Sequence, residues 1–239
     1  MELSGVELAI ALVAVAAGAL VQGSIGFGFV LLAAPIVGLM EPGALPVTFL
    51  WLALPLSIWM AIQERHHIDR EGFVQMTLGR LVGTVGAAWV VAAIAADDLA
   101  VAVGSAIVVA VLISVFAPEV EIGAKGRLVA GVVSGLMGTI GGVGGPASVL
   151  AYQQRGGPEI RATLAITFVV GTAVSLVALE VAGKAELWRL QLAGILFPGM
   201  VVGLALSRSV IAAMDPRWVR PVVLTCAGLG GLAIVLQGL

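Results

Sequence analysis

Two glycine-rich stretches interrupt long apolar segments of the chain. The first, VQGSIGFGF, spans residues 21–29, and the second, TIGGVGGP, spans residues 139–146. Glycine lets a helix unwind, and backbone N–H groups at the start of a helix can donate hydrogen bonds to an anion. The two stretches therefore predict a site for a small anion. Their candidate binding residues are Gln22, Gly23, Ser24, Gly26, Gly28, Thr139, Gly141, Gly142, Gly144 and Gly145.

Arg80 is the most informative single side chain, because it lies within an apolar segment predicted at 72–95. Its depth in that segment is about 12 Å at about 1.5 Å per residue. A charge at the centre of a membrane-spanning helix costs about 2.5–3.5 kcal/mol, and a bound anion would offset that cost. A guanidinium also matches a sulfonate or carboxylate in shape. Two alternatives stay open: the side chain reaches the membrane interface, or it bonds to free carbonyls at the breaks.

Thr48 and Thr167 occupy matching places in two similar pieces of sequence, LPVTF and LAITF. Each hydroxyl is a candidate donor to the anion, and the alternative is a bond to the carbonyl four residues back. His66 and His67 are adjacent, so they do not face each other on a helix, and no third ligand accompanies them. Neither a metal ion nor a cofactor is expected.

The composition indicates how these residues are held. The chain is 60% hydrophobic and 11% charged, whereas soluble domains carry about 25% charged residues. Runs such as 162–179 have the length and composition of membrane-spanning helices. We therefore expect a multi-pass, all-α integral membrane protein in the inner (plasma) membrane. The net charge of −2 suggests no surface for nucleic acid.

The sequence contains an internal duplication: similar short stretches recur in the same order in both halves, at a period of about 117 residues. We predict a first repeat over 1–118 and a second over 119–239. Each repeat contains five helical segments. The predicted segments are 6–22, 25–40, 44–63, 72–95, 99–117, 127–142, 144–154, 160–182, 190–207 and 218–237.

The number of crossings depends on whether the first two segments of each repeat form one span or a hairpin. Hairpins give ten segments and invert the second repeat. The positive-inside rule then puts nine Lys and Arg residues on the side of the 64–71 loop and two on the other. Single spans give eight segments and a split of six against five, which carries no orientation. We therefore predict two five-segment inverted repeats, with both termini outside.

Segments 25–40 and 144–154 are short for a bilayer core of about 30 Å. Broken helices in matching positions of inverted repeats form the midplane substrate site of many secondary transporters. Both short segments begin at a glycine cluster, so both would direct an N-terminus at the site. The alternative role of these glycines is close packing of neighbouring helices.

The motifs GSIGFGFVLLAAP at 23–35 and GLMGTIGGVGGP at 135–146 resemble the two signatures of the sulfite exporter TauE/SafE family, also called the 4-toluene sulfonate uptake permease family. The resemblance covers the whole chain, although the family is usually predicted to have fewer segments. It implies a transporter, with export as the expected direction. The implied substrate is a small anion such as sulfite, sulfoacetate, another sulfonate or a carboxylate.

Several readings of the same residues remain open at this stage. Alternating access with the substrate held at the breaks is the expected mechanism, and an anion channel with the same path is the alternative. An intramembrane serine enzyme would use Ser24, but the histidines lie in a loop, so we expect no enzyme. We expect the lipid bilayer as a partner, and a homodimer is one arrangement that the sequence permits.

Overall fold

The computed structural model of the chain describes residues 3–94, 96–116, 122–211 and 216–238. These ranges contain ten α-helices and no strand. Short 3-10 turns at Pro42–Ala44 and Arg65–His67 lie on either side of α3. The helices are α1 (Gly5–Ile25), α2 (Phe29–Met40), α3 (Val47–Gln63), α4 (Arg70–Ala93), α5 (Ala96–Phe116), α6 (Ala124–Gly141), α7 (Gly145–Leu150), α8 (Gly157–Val181), α9 (Leu187–Ile211) and α10 (Pro216–Gln237).

The all-helical membrane fold expected from the composition is confirmed. Within the described residues, five helical stretches are long and apolar enough to cross a membrane: α1, α4, the Asp98–Phe116 part of α5, α8 and the Leu187–Ser207 part of α9. Three shorter apolar helices accompany them: α2, α3 and the Pro221–Gln237 part of α10. Large apolar side chains such as Val82, Trp89 and Leu229 are exposed, as suits a surface that faces lipid rather than water.

The first two helices form a hairpin rather than one span. A Cβ atom at Gly18 of α1 would lie 2.6 Å from the carbonyl oxygen of Phe29, at the start of α2. A Cβ atom at Gly28 would lie 2.9 Å from Val21. The chain therefore turns back on α1 at the break, and α1 and α2 pack side by side as an antiparallel pair.

Helix α10 distinguishes ten segments from eight. It runs parallel to α2 and antiparallel to α5, as ten alternating segments require, whereas eight segments would reverse both relations. The parallel direction follows from contacts of Gly28 with Val223 and of Gly38 with Ile234, in which both numbers rise together. The antiparallel direction follows from contacts of Gly104 with Val235 and of Val111 with Gly228, in which one number rises as the other falls.

The helix pairs occur in matched sets, as a duplicated fold demands. The pair α1–α9 has its counterpart in α6–α4, α3–α9 in α8–α4, and α2–α10 in α7–α5. In α1–α9, a Cβ atom at Gly199 would lie 2.7 Å from the carbonyl of Leu12, and Gly203 packs on the backbone of Ala16. Each repeat therefore completes its packing with helices of the other. The predicted boundary between residues 118 and 119 lies outside the described residues.

The helices differ from the predicted segments by up to four residues at their ends, and two of these differences bear on the site. Helix α2 begins at Phe29 rather than at residue 25, because residues 26–28 are unwound. Helix α7 ends at Leu150 rather than at residue 154, and the chain continues in turns. At about 1.5 Å per residue these helices span roughly 18 Å and 9 Å, so neither crosses a bilayer core alone.

Candidate functional site

Helices end at both glycine clusters, and the two clusters touch each other. The first break covers residues 26–28, and the second covers residues 142–144. Gly28 and Gly142 have φ angles of 111° and 72°, which residues with a side chain rarely adopt. A Cβ atom at Gly145 would lie 2.9 Å from that of Phe27, and one at Gly142 would lie 3.0 Å from Val30. The breaks thus bring the inner ends of α2 and α7 together.

Gln22 holds the first break in shape. Its side-chain carbonyl accepts a hydrogen bond from the backbone N–H of Phe29 at 3.2 Å, so the first N–H group of α2 is already paired. At the second break, Pro146 near the start of α7 has no N–H to donate. The helix N-termini therefore offer fewer free donors than the sequence suggested, and the charge at the site comes mainly from a side chain.

That side chain is Arg80, which is 3% exposed. It lies about 15 Å from the start of α4, about half the thickness of a bilayer core. Its Nη1 atom donates to the Ser134 hydroxyl at 2.6 Å, and its guanidinium carbon lies 5.2 Å from the centre of the Phe168 ring. Its Nε atom is buried without a hydrogen-bond partner. No carboxylate of a described residue forms an ion pair with Arg80.

Three glycines from three different elements form the slot that holds the guanidinium. A Cβ atom at Gly138 of α6 would lie 2.8 Å from Arg80 Nη2, and one at Gly144 would lie 2.7 Å from Nη1. A Cβ atom at Gly171 of α8 would overlap Nε. These glycines therefore admit the arginine side chain, a role that the sequence did not indicate.

Close packing of α4 on α6 brings Arg80 to this slot. Gly79 and Gly83 on α4 face the backbone of α6, and Gly131 and Gly135 on α6 face the backbone of α4. Such small residues let two helices approach closely within a membrane. The approach puts Arg80 within reach of the second break, so the packing role and the site role belong to different glycines.

The second repeat supplies no equivalent of this cation. Gly83 of α4 packs on the backbone of α6, and Gly203 of α9 packs in the same way on the backbone of α1. Arg80 precedes Gly83 by three residues, and Met200 precedes Gly203 by three residues. Met200 is therefore the counterpart of Arg80, and it lies three residues beyond Phe197, the position that a period of 117 residues gives. The site is asymmetric within an otherwise matched pair of repeats.

Arg80 and the two breaks line one central cavity. Arg80 is the one charged residue among the described residues that line it. The space that can hold the centre of a water molecule is about 30 Å³, which corresponds to roughly two waters or a small oxyanion. The residues that line the cavity include Gln22, Phe27, Gly28, Leu31, Leu50, Ser57, Arg80, Gly142, Gly144, Gly145, Phe168 and Thr172.

Six of the thirteen predicted site residues line the central cavity: Gln22, Gly28, Arg80, Gly142, Gly144 and Gly145. Three of the remaining seven are glycines used for packing. Gly23 faces Ser207 of α9, Gly26 lies against Arg161 of α8, and Gly141 approaches Ala106 of α5, with a gap of 3.1 Å between a Cβ at Gly141 and that of Ala106.

The other four predicted residues are hydroxyls that bond within the protein. Ser24 donates to the carbonyl of Leu20 at 2.7 Å, and Thr167 donates to that of Thr163 at 2.8 Å. Thr139 pairs with Ser175 at 2.8 Å and donates to Thr84 at 3.3 Å, and Thr48 donates to the carbonyl of Arg189 at 3.2 Å. Each hydroxyl therefore already has a partner away from the cavity.

Sequence reasoning did not single out Ser134, Phe168 or Gly171, and the structure also brings Ser57 and Thr172 to the cavity. Ser57 lines the cavity with its buried hydroxyl unpartnered. Ser134 lies 54 positions along the chain from Arg80, to which it is hydrogen-bonded, and no local sequence pattern predicts such a contact. The small-residue face of α6 is the one signal that could have indicated a close neighbour.

Contacts between the repeats close one end of the bundle. This end, called the basic end, holds Glu64, Asp69, Arg127, Tyr152 and Arg161. Arg161 Nε donates to Glu64 at 2.7 Å. The Asp69 carboxylate accepts a hydrogen bond from the Tyr152 hydroxyl at 3.3 Å and lies 3.6 Å from Arg127. Burial, together with the nearby Asp69 charge, raises the pKa of Tyr152 above its usual value, which keeps the hydroxyl available as a donor.

The opposite end also closes through contacts between the repeats. Arg189 Nε donates to the carbonyl of Gly43 at 2.8 Å, and the Arg189 carbonyl accepts the Thr48 bond. Lys184 Nζ donates to the carbonyl of Ile94 at 3.2 Å. The central cavity thus lies between two layers of polar contacts.

The architecture defines a class of protein: a multi-pass helical membrane protein with broken helices at its centre. The family model for the sulfite exporter TauE/SafE matches residues 10–234. The chain belongs to this family, as the two glycine motifs predicted, and the family implies an anion transporter of the exporter type. The chain matches no curated protein and no solved structure.

Proposed function

We propose that the chain carries a small sulfur-containing or organic anion across the membrane, in the direction of export, and binds it in the central cavity. The observation that carries this proposal is the buried Arg80 charge, which has a free Nε donor and no carboxylate partner among the described residues. An uncompensated charge at this depth is costly, and a bound anion removes the cost. Sulfite, sulfoacetate, other sulfonates and short carboxylates are the candidate substrates.

We infer alternating access as the mechanism, with the anion held between the two breaks. Contacts at the basic end, such as Glu64 with Arg161, join the first repeat to the second, and so does the bond from Arg189 to Gly43 at the opposite end. Rocking of one repeat against the other would open one set of contacts while the other stays closed. The site would then face each side of the membrane in turn.

An anion channel is the competing mechanism, and function in liposomes separates the two. At a clamped membrane potential, a transporter saturates and takes up labelled anion faster when unlabelled anion is present on the other side, whereas the influx through an open channel does not depend on the anion on the other side. We expect saturation and exchange, and a conductance that rises linearly with anion concentration would refute alternating access.

An enzyme built on Ser24 has little support. The Ser24 hydroxyl donates to a backbone carbonyl within its own helix. His66 and His67, the candidate bases, are exposed in the turn Arg65–His67. A nucleophile needs a base within hydrogen-bond reach. Membership of a transporter family agrees with the expectation of no enzyme.

We further propose that the basic end faces the cytoplasm and that the membrane is the inner (plasma) membrane. Nine Lys and Arg residues lie on that side in the ten-segment arrangement, against two on the other. Labelling of intact cells tests this orientation. A cysteine at Gln153 should react with a membrane-impermeant reagent only after lysis, and reaction in intact cells would reverse the assignment.

The direct test of the binding site is a thermal-shift screen of purified protein against sulfite, sulfoacetate, thiosulfate, taurine and short carboxylates. Arg80→Met should abolish the ligand-induced shift, Arg80→Lys should retain part of it, and Arg155→Ala at an exposed ion pair should retain all of it. If Arg80→Met responds as strongly as the unmodified protein, the anion binds elsewhere.

A further inference from the structure

We propose that the central cavity selects anions of charge −1 and rejects dianions, an inference that rests on the proposed function. The cavity lining contains one cation and no acid among the described residues. The ligand charge that makes the filled site neutral is therefore −1. A dianion would leave a net negative charge in the interior of the bundle.

Among the described residues, no second cation lines the cavity, and the symmetry of the repeats supplies none. The counterpart of Arg80 in the second repeat is Met200, which is buried and belongs to an apolar groove. Four arginines outside the cavity are held by carboxylates at 2.7–3.6 Å. These pairs are Arg127 with Asp69, Arg155 with Glu159, Arg161 with Glu64, and Arg189 with Glu186.

The donors around Arg80 fit a single compact head group. Ser134 accepts a hydrogen bond from Nη1, whereas Nε is buried without a partner, so the guanidinium keeps donor capacity for a ligand. The unpartnered Ser57 hydroxyl also lines the cavity. These neutral donors can orient an oxyanion, but they add no charge with which to balance a second negative one.

Apart from Gln22, Thr172 and the glycines, the remaining described lining is apolar, and it sets the shape of the remainder of the ligand. Phe27, Leu31, Leu50 and Phe168 line the cavity, and such side chains favour a short apolar group beside the head group. The ligand class is therefore a small monoanion: hydrogen sulfite, a short alkyl sulfonate or a short monocarboxylate. Sulfate, the sulfite dianion and doubly charged sulfoacetate are disfavoured.

The size of the discrimination follows from the cost of one unbalanced charge in the membrane interior. If the extra charge of a dianion costs as much as a charge at the centre of a membrane-spanning helix, the dianion binds on the order of 100-fold more weakly than a monoanion of the same shape. For sulfite, the singly protonated form is then the bound form, so the apparent affinity should rise as the pH falls.

Methanesulfonate and methylphosphonate form a matched pair of probes, because they have the same shape and the phosphonate loses its second proton near neutral pH. Their dissociation constants are measured on purified protein at about pH 6 and about pH 9. Methanesulfonate should bind equally at both values. Methylphosphonate should match it at the lower pH and bind on the order of 100-fold more weakly at the higher pH.

The outcomes separate the two proposals. If the phosphonate dianion binds as tightly as methanesulfonate and Arg80→Met abolishes both, charge selection is refuted while the binding site stands. If neither probe binds, or if Arg80→Met binds both normally, the proposed site itself is refuted. Arg80→Lys keeps the charge and should keep the preference for the monoanion, so loss of that preference in a folded Arg80→Lys protein also counts against the proposal.

Discussion

Gly171→Ala is the change that most sharply tests the placement of the Arg80 guanidinium. The new Cβ atom would overlap Arg80 Nε and lie 2.7 Å from the guanidinium carbon, so the side chain must leave its slot. Its 2.6 Å bond to Ser134 would then be lost. A hydrogen bond to a charged group contributes about 1.5–3 kcal/mol, so anion affinity should fall by about 10- to 150-fold.

The assay for Gly171→Ala is isothermal titration of methanesulfonate into purified protein, with Gly194→Ala as the matched control. A Cβ atom at Gly194 would meet nothing within 4 Å, so this helical substitution should leave binding unchanged. In an Arg80→Met background, Gly171→Ala should cost little stability, because the flexible methionine can move away. Normal affinity in a well-folded Gly171→Ala protein would refute the slot.

Three further predictions follow from individual contacts. Ser134→Ala removes the hydroxyl that holds the guanidinium and should weaken anion binding about 10-fold by titration, and unchanged affinity would deny it a positioning role. Glu64→Gln removes the ionic partner of Arg161 and should speed hydrogen–deuterium exchange at the first break. The control Glu159→Gln should not change this exchange. Equal effects of the two substitutions would count against closure at the basic end. Thr167→Val should leave transport rates in liposomes unchanged, because its hydroxyl already bonds within its helix, and a large loss would return this residue to the site.

The sequence predicted the fold well because its strongest signals are global. A hydrophobic share of 60% leaves few alternatives to membrane-spanning helices. The repeat, together with the loop charges, favoured ten segments, and the directions of α2, α5 and α10 agree with ten. The ends of α2 and α7 were less predictable, since a glycine cluster shows that a helix breaks but not at which residue it resumes.

The candidate site was only partly predictable, because its main contacts join distant parts of the chain. Arg80 stood out as a charge in an apolar segment, but the glycine that receives it, Gly171, looks like any small residue of a packed helix. Thr167 and Ser24 looked like donors to a ligand, yet each bonds to a carbonyl within its own helix. Whether a hydroxyl is free depends on local geometry that the residue type does not specify.

A crystal structure with bromomethanesulfonate tests most directly the claim that Arg80 binds the substrate between the two breaks, because bromine is located by its anomalous scattering. We predict a single bromine peak in the central cavity, with a sulfonate oxygen about 3 Å from the Arg80 guanidinium. An ordered anion at the basic end or the opposite end, with the cavity beside Arg80 free of ligand density, would contradict the account.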